Sequence, residues 1–119
     1  MRLEGLGYLN DREYARLLAR RVAGQQGAGP ARLRQALQVR GLPPDVIAAA
    51  IAECFAETDE AAAAVAAGRR RLAALRGLAP AVARRRLAGH LSRRGYGAEA
   101  IAHALRALLG EGGEELEGD

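Results

Sequence analysis

The stretch RLRQALQVRGLPPDVIAAAI, residues 32–51, returns in the same chain as RLAGHLSRRGYGAEAIAHAL, residues 86–105. Aligned without a gap, the two stretches are identical at eight of twenty positions. The Arg-Gly pairs at residues 40–41 and 94–95 coincide in this alignment. Internal similarity at a fixed spacing is typical of repeat architectures, so we expect one module to be used twice.

Each copy predicts two short helices joined by a glycine turn. Pro30 and Pro80 suit first helical positions, where the missing N–H of proline would have had no partner anyway. Gly41 and Gly95 are expected just past the ends of these helices, in the left-handed conformation that glycine tolerates. Apolar residues recur every three or four positions in both copies, and no segment predicts a strand.

A longer helix is predicted before each pair. In the first copy, NDREYARLLARRVA at residues 10–23 predicts a helix with Asn10 as its N-cap and Glu13 as its capping-box partner. The loop GQQGAG at residues 24–29 is expected to end it. Its apolar stripe is formed by residues at a spacing of four, namely Tyr14, Leu18 and Val22.

In the second copy, the long helix is predicted from Thr58 or Asp59 to about Arg76, with Gly77 as its stop. The predicted fold is therefore all-α, with tandem three-helix repeats in an elongated body. The expected division is a stub of a preceding helix or repeat at 1–9, repeats at 10–57 and 58–109, and a disordered acidic tail at 110–119.

The charges are distributed unevenly. All eighteen basic residues are arginines, which also fits a GC-rich genome. Residues 1–68 carry eight arginines and eight acids, residues 69–109 carry ten arginines and one glutamate, and residues 110–119 carry five acids and no base. A concentrated positive segment indicates a polyanion or an acidic protein as partner. If the acidic tail masks this segment, its deletion should tighten DNA binding at low salt.

No catalytic or metal-binding set is apparent. His90 and His103 are the only histidines, and we expect them to be partly buried or solvated. Cys54 is expected to be a small core residue. Neither a secretory signal nor an apolar run of the roughly 20 residues that a membrane helix needs is present. The sequence predicts a cytoplasmic protein that is not an enzyme and uses no cofactor or metal.

Arginine clusters at 69–71, 84–86 and 93–94 are the strongest indication of function. Arginine binds phosphate and carboxylate alike through two parallel hydrogen bonds. Few aromatic side chains are present to stack on bases, so contacts to nucleic acid would be non-specific and made to phosphates. Two further interpretations remain open, a sequence-independent nucleic-acid-binding helical module and a protein-interaction scaffold that does not bind DNA.

The segments GYLND at residues 7–11, GAGPARLRQAL at residues 27–37 and RG at residues 40–41 resemble the RecX family, the regulators of the bacterial RecA recombinase. The resemblance covers residues 7–109 and implies an all-helical protein of tandem three-helix repeats. It also implies a non-enzymatic regulator that binds the RecA filament on single-stranded DNA and mainly inhibits it, within recombination, DNA repair and the SOS response. We expect the chain to be a monomer. Family members usually have three repeats, whereas two and a stub are expected in this chain.

The resemblance also assigns residues. Arg20 or Arg21 and Arg32 match basic positions of the family motif, whereas Ala36 stands where glutamate is usual. The motif positions expected to be structural are Tyr8, Leu9, Asp11, Tyr14, Gly27, Gly29, Pro30, Leu33, Leu37 and Gly41. Motif and charge together predict these contacts to recombinase or DNA: Arg20, Arg21, Arg32, Arg34, Arg69, Arg70, Arg71, Arg84, Arg85, Arg86, Arg93 and Arg94.

Overall fold

The computed structural model describes residues 4–57 and 59–110, and the side chains of residues 10–56 and 59–110. These residues form helices and turns without a strand, which confirms the all-α prediction. The helices are α1 Glu4–Gln26, α2 Pro30–Val39, α3 Pro44–Glu57, α4 Glu60–Arg69, a 3₁₀ helix Leu72–Leu75, α5 Pro80–Arg93 and α6 Ala98–Leu109.

The helices pack as two successive three-helix units. The most extensive contacts join α1 to α3 and α4 to α6, while α2 completes the first unit and α5 the second. The body is more than twice as long as it is wide. The tandem three-helix arrangement predicted from the internal repeat is therefore confirmed.

Each unit has its own aliphatic core. Leu33 and Leu37 of α2 are at most 1% exposed, and so are their repeat equivalents Leu87 and Leu91 of α5. Burying a leucine side chain contributes roughly 1.5–3 kcal/mol. The other core residues are mostly small: Ala15, Leu18, Ala19, Ala28, Val46, Ile47, Ala50 and Ile51 in the first unit, and Ala64, Ala67, Leu75, Ala83, Tyr96, Ala100, Ala104 and Leu105 in the second.

The two units meet where the start of α2 faces the end of α5. The Gly29 N–H donates to the Arg94 carbonyl at 2.7 Å, and the Ala31 N–H donates to the Gly95 carbonyl at 3.0 Å. The first N–H groups and the last carbonyls of a helix have no partner within that helix. The positive end of the α2 dipole thus also meets the negative end of the α5 dipole.

Side chains reinforce this junction. The Tyr96 hydroxyl donates to the Gly27 carbonyl at 2.8 Å, and the Arg94 guanidinium donates to the Gln26 carbonyl at 2.7 Å. Burial and, secondly, the charge of Glu60 raise the pKa of Tyr96 above 10.0. The Tyr96 hydroxyl therefore loses its proton at a lower pH in the unfolded chain than in the folded protein. The contribution of this contact to the free energy of unfolding should accordingly fall as the pH rises above about 10.

Glycine is required on both sides of the junction. A Cβ atom at Gly29 would lie 2.7 Å from the carbonyl carbon of Gly95. A Cβ atom at Gly95 would clash with the backbone nitrogen of Arg32. Gly95 also has a φ of +98°, which residues with a side chain rarely adopt. No other residue permits so close an approach of two backbones.

The prediction for the start of α1 is wrong. The helix begins at Glu4 and passes through Asn10, so Asn10 is not an N-cap and Glu13 is not part of a capping box. The boundary predicted between residues 9 and 10 therefore lies within a continuous helix. The helix also extends to Gln26, which leaves a loop of only residues 27–29. Glycine and asparagine are poor helix formers, but these preferences are weak and do not by themselves end a helix.

The predicted apolar stripe of α1 is confirmed at Leu18, which is buried, and at Val22, which packs against the core, but not at Tyr14. Tyr14 is 41% exposed, and its hydroxyl accepts a hydrogen bond from the Arg40 guanidinium. Among the described side chains of this helix, Ala15, Leu18 and Ala19 are buried. Alanine allows α3 to approach closely, so the small residues rather than the tyrosine face the core.

The second long helix is shorter than predicted. It ends at Arg69 instead of Arg76, and a turn leads into the 3₁₀ helix. Consecutive helical positions point about 100° apart, so a continuing helix would turn part of the basic run at 69–71 towards the core. The turn, closed by the Arg71 N–H donating to the Gly68 carbonyl at 2.9 Å, leaves all three arginines exposed.

Gly95→Ala should destabilise the protein more than Gly41→Ala. Both glycines have positive φ angles, but a Cβ at Gly41 would meet nothing within 4 Å. Each substitution should cost about 1–2 kcal/mol through its backbone conformation. Gly95→Ala should cost about 2 kcal/mol more, because two backbone hydrogen bonds are worth about 1 kcal/mol each. Urea unfolding followed by circular dichroism measures the free energy of unfolding of both variants. Equal losses of stability would contradict the claim that the close backbone contact at Gly95 stabilises the protein.

Candidate functional site

A groove of about 620 Å³ lies where the turn after α4 and the 3₁₀ helix face α5. Arg71 comes from that turn, whereas Arg85, Arg86 and Arg93 come from α5. The described residues that line it include no carboxylate. We name it the arginine groove, and its lining is Arg71, Ala74, Leu75, Arg85, Arg86, Leu87, Gly89, His90 and Arg93.

Helical spacing brings these side chains of α5 together. Arg86, His90 and Arg93 follow each other at intervals of four and three residues, so they share one face of α5. Gly89 lies between them without a side chain, and a Cβ atom there would come within 3.3 Å of the Arg93 guanidinium. Arg71 reaches the groove from the opposite side because α4 ends at Arg69.

The pKa of His90 reflects its position in this groove. Its pKa is lowered from 6.5, first by partial burial and then by the charges of Arg71, Arg94 and Arg93. Burial and the nearby arginines therefore both favour the neutral imidazole of His90. A bound polyanion would favour the protonated imidazole, so the groove can couple anion binding to proton uptake.

The structure separates residues that the sequence placed in one cluster. Arg84 does not line the arginine groove, and its guanidinium donates to the Gly110 carbonyl at 3.1 Å. Arg94 supports the junction. The Arg70 guanidinium lies beside Gly27. Arg69 is exposed at the end of α4. Adjacent arginines thus serve different surfaces.

The predicted contact residues of the first repeat are all exposed, and none of them lines the arginine groove. Arg20 instead lines a cavity of about 290 Å³ together with Cys54 and Phe55. Partial burial raises the pKa of Cys54 above 9.0, and the Arg20 charge opposes that rise. The remaining members, exposed on α1 and α2, are Arg21, Arg32 and Arg34.

The motif residues fall mainly in the core and at the junction. Leu33 and Leu37 are buried, and Gly27 and Gly29 form the loop that contacts the second repeat. Pro30 opens α2 and Gly41 follows its end. Asp11 is half-buried and Tyr14 is exposed. The side chains of Tyr8 and Leu9, like residues 111–119, lie outside the described part of the chain.

Sequence reasoning missed the structural importance of Tyr96. It is 6% exposed, and its hydroxyl is the main side-chain contact to the Gly27 loop. The available signal was the replacement of Leu42 in the first copy by a tyrosine in the second. A buried tyrosine is favourable where its hydroxyl finds an acceptor.

No described helix combines the length and apolarity that crossing a bilayer demands. Within residues 4–57 and 59–110, no group of three or more His, Cys, Asp or Glu side chains is placed to hold a metal ion.

The chain is thus a helical tandem-repeat protein that presents a basic groove. The family model described as RecX, second three-helix domain, matches residues 10–51, and that described as RecX, third three-helix domain, matches residues 57–105. Together they cover most of the chain, which belongs to the RecX family.

Two curated relatives support this assignment. A protein of Trichlorobacter lovleyi named "Regulatory protein RecX" is 38% identical over 99 residues, which are 80% of this chain and 62% of that protein. A protein of Shewanella oneidensis with the same name is 46% identical over 48 residues, 40% of this chain and 37% of that protein. The chain therefore spans less than two thirds of these relatives. No solved structure matches it significantly.

The pKa of His90 should rise when a polyanion occupies the arginine groove. NMR titration of the imidazole should give a pKa below 6.5 in the free protein and a higher one with oligo(dT). The change follows because phosphates offset the repulsion from Arg71, Arg93 and Arg94. Affinity should accordingly increase as the pH falls through the pKa of His90. An identical titration with and without oligo(dT) would show that oligo(dT) does not occupy the arginine groove.

Proposed function

We propose that this protein regulates the RecA recombinase, mainly by inhibiting it, through binding to the RecA filament on single-stranded DNA in the cytoplasm. Membership of the RecX family and the relatives named "Regulatory protein RecX" support a regulatory activity. The observation that carries the binding mode is the arginine groove, which gathers four arginines and a histidine without a facing carboxylate among its lining residues.

The chemistry of the groove suits a phosphate backbone. Guanidinium groups bind phosphate through paired hydrogen bonds, and contacts to phosphates carry no sequence information. A regulator of a filament that forms on any single strand requires this lack of sequence preference. The groove would also accept acidic side chains of the recombinase itself, so it could contact both components of one filament.

The first repeat supplies the second part of the proposed interface. Arg20, Arg21, Arg32 and Arg34 are exposed away from the arginine groove. The junction fixes the distance between these arginines and the groove. We propose that an elongated body with two separated basic surfaces binds along the filament and opposes its turnover, with no chemical step of its own.

The direct experiment is the single-stranded-DNA-dependent ATP hydrolysis of the host recombinase during titration with this chain. A rate that falls at substoichiometric chain is the expected result, because each bound molecule would affect several recombinase subunits. No change in rate, with oligo(dT) binding retained, would favour a nucleic-acid-binding module. No change and no DNA binding would favour the protein scaffold.

The double variant Arg85→Gln, Arg86→Gln should weaken both oligo(dT) binding and inhibition. The matched control is Arg40→Gln, Arg106→Gln, which also removes two exposed charges but lies outside both proposed basic surfaces. Loss of two phosphate contacts to a single strand should reduce the salt dependence of log K by about 1.4. Fluorescence anisotropy at several salt concentrations measures this change.

The control variant should retain most of the wild-type salt dependence. An equal reduction in both variants would mean that net charge, rather than the arginine groove, determines binding. Circular dichroism must first show that both variants keep the helical content of the wild type.

A further inference from the structure

A second groove, with an apolar lining, lies at the end of the second repeat. It has a volume of about 320 Å³ and is bounded by the 3₁₀ helix, the start of α5 and the end of α6. Its two charged members are Arg76 and Arg84. We name it the leucine groove, and its lining is Leu72, Leu75, Arg76, Leu78, Pro80, Ala83, Arg84 and Leu109.

The chain leaves α6 beside this groove. Leu109, the last residue of α6, is itself part of the lining. The next residue, Gly110, turns with a φ of +77°, and its carbonyl accepts the hydrogen bond from Arg84. Whatever follows Gly110 therefore starts within a few ångströms of Arg84.

The segment that follows has a composition complementary to the groove. Residues 111–119, EGGEELEGD, carry five carboxylates and no basic residue, and Leu116 is their one large apolar side chain. Within the described residues, Arg76 and Arg84 form no ion pair with a carboxylate. Six residues separate Gly110 from Leu116, a span of at most about 20 Å, so Leu116 can return to the groove.

We infer that residues 111–119 fold back onto the second repeat, with Leu116 in the leucine groove and the flanking carboxylates beside Arg76 and Arg84. The volume exceeds the roughly 150 Å³ of an apolar cavity that holds a benzene-sized group, so one leucine side chain fits. A segment of the same chain is favoured over a separate partner, because a short tether presents it at an effective concentration of about 1 mM.

The two grooves are adjacent, since Leu75 lines both of them. A tail seated in the leucine groove therefore places several carboxylates near Arg71 and Arg85. These carboxylates would compete with a polyanion for the arginine groove. The inference goes beyond the proposed function, because it assigns a binding site to a segment of the chain whatever the external partner is.

The test compares methyl NMR spectra of the full chain with those of a chain ending at Gly110. The leucine methyl signals of Leu72, Leu75, Leu78 and Leu109 should differ between the two proteins, and those of the core leucines Leu33 and Leu37 should not. Leu116→Ala, which keeps every charge, should reproduce the spectrum of the shortened chain at the groove. Neither recombinase nor DNA is needed, so failure here leaves the proposed function intact.

A second variant separates charge from apolar contact. Replacing the five tail carboxylates by amides (Glu111→Gln, Glu114→Gln, Glu115→Gln, Glu117→Gln, Asp119→Asn) should weaken the groove shifts and remove their dependence on salt. Superimposable groove signals in the full and shortened chains would overturn the inference. Shifts that persist in full with Leu116→Ala would overturn it equally, because the tail would then bind without its proposed anchor.

Discussion

The structure depends on two backbone hydrogen bonds between repeats, from Gly29 to Arg94 and from Ala31 to Gly95. The helices pack most extensively within their own repeat, so this contact and its side-chain supports decide how the repeats are oriented. The contact pairs backbone N–H groups at the start of one helix with carbonyl groups at the end of another, neither of which has a partner within its own helix. Because the backbones touch, the contact admits glycine alone at positions 29 and 95.

This constraint explains why arginines that are adjacent in sequence lie on different surfaces. Arg94 must remain at the junction to bind the Gln26 carbonyl, while Arg93, one residue earlier, faces the arginine groove. Similarly, Arg84 binds the end of α6, and Arg85 and Arg86 line the groove. Part of the arginine content therefore stabilises the fold, and a smaller set is available to bind a partner. Counting charges along the chain cannot separate these two groups, because the separation depends on helix rotation.

Much of the fold could be predicted from the repeated stretch. Proline at Pro30 and Pro80 and glycine at Gly41 and Gly95 have local conformational reasons, so the helix boundaries that they set were predicted well. The start of α1 and the end of α4 were not, because the local preferences of the residues there are weak: Asn10 lies within a helix, and the basic run 69–71 forms a turn. The junction could not be predicted either, because nothing local relates Gly29 to a glycine more than sixty residues away. The four arginines of the arginine groove were among the predicted contact residues, but the sequence did not separate them from their neighbours or place His90 beside them.

The central claim is that the junction holds two basic surfaces in the arrangement that regulation requires. The most direct measurement is inhibition of the recombinase's single-stranded-DNA-dependent ATP hydrolysis by Gly95→Ala, with Gly41→Ala as the control, at a temperature where circular dichroism shows both folded. Neither change alters a charge. The account predicts that Gly95→Ala loses most of its inhibition while Gly41→Ala retains it. Full inhibition by Gly95→Ala would contradict the account, because the arginines would then act without a fixed relation between the repeats.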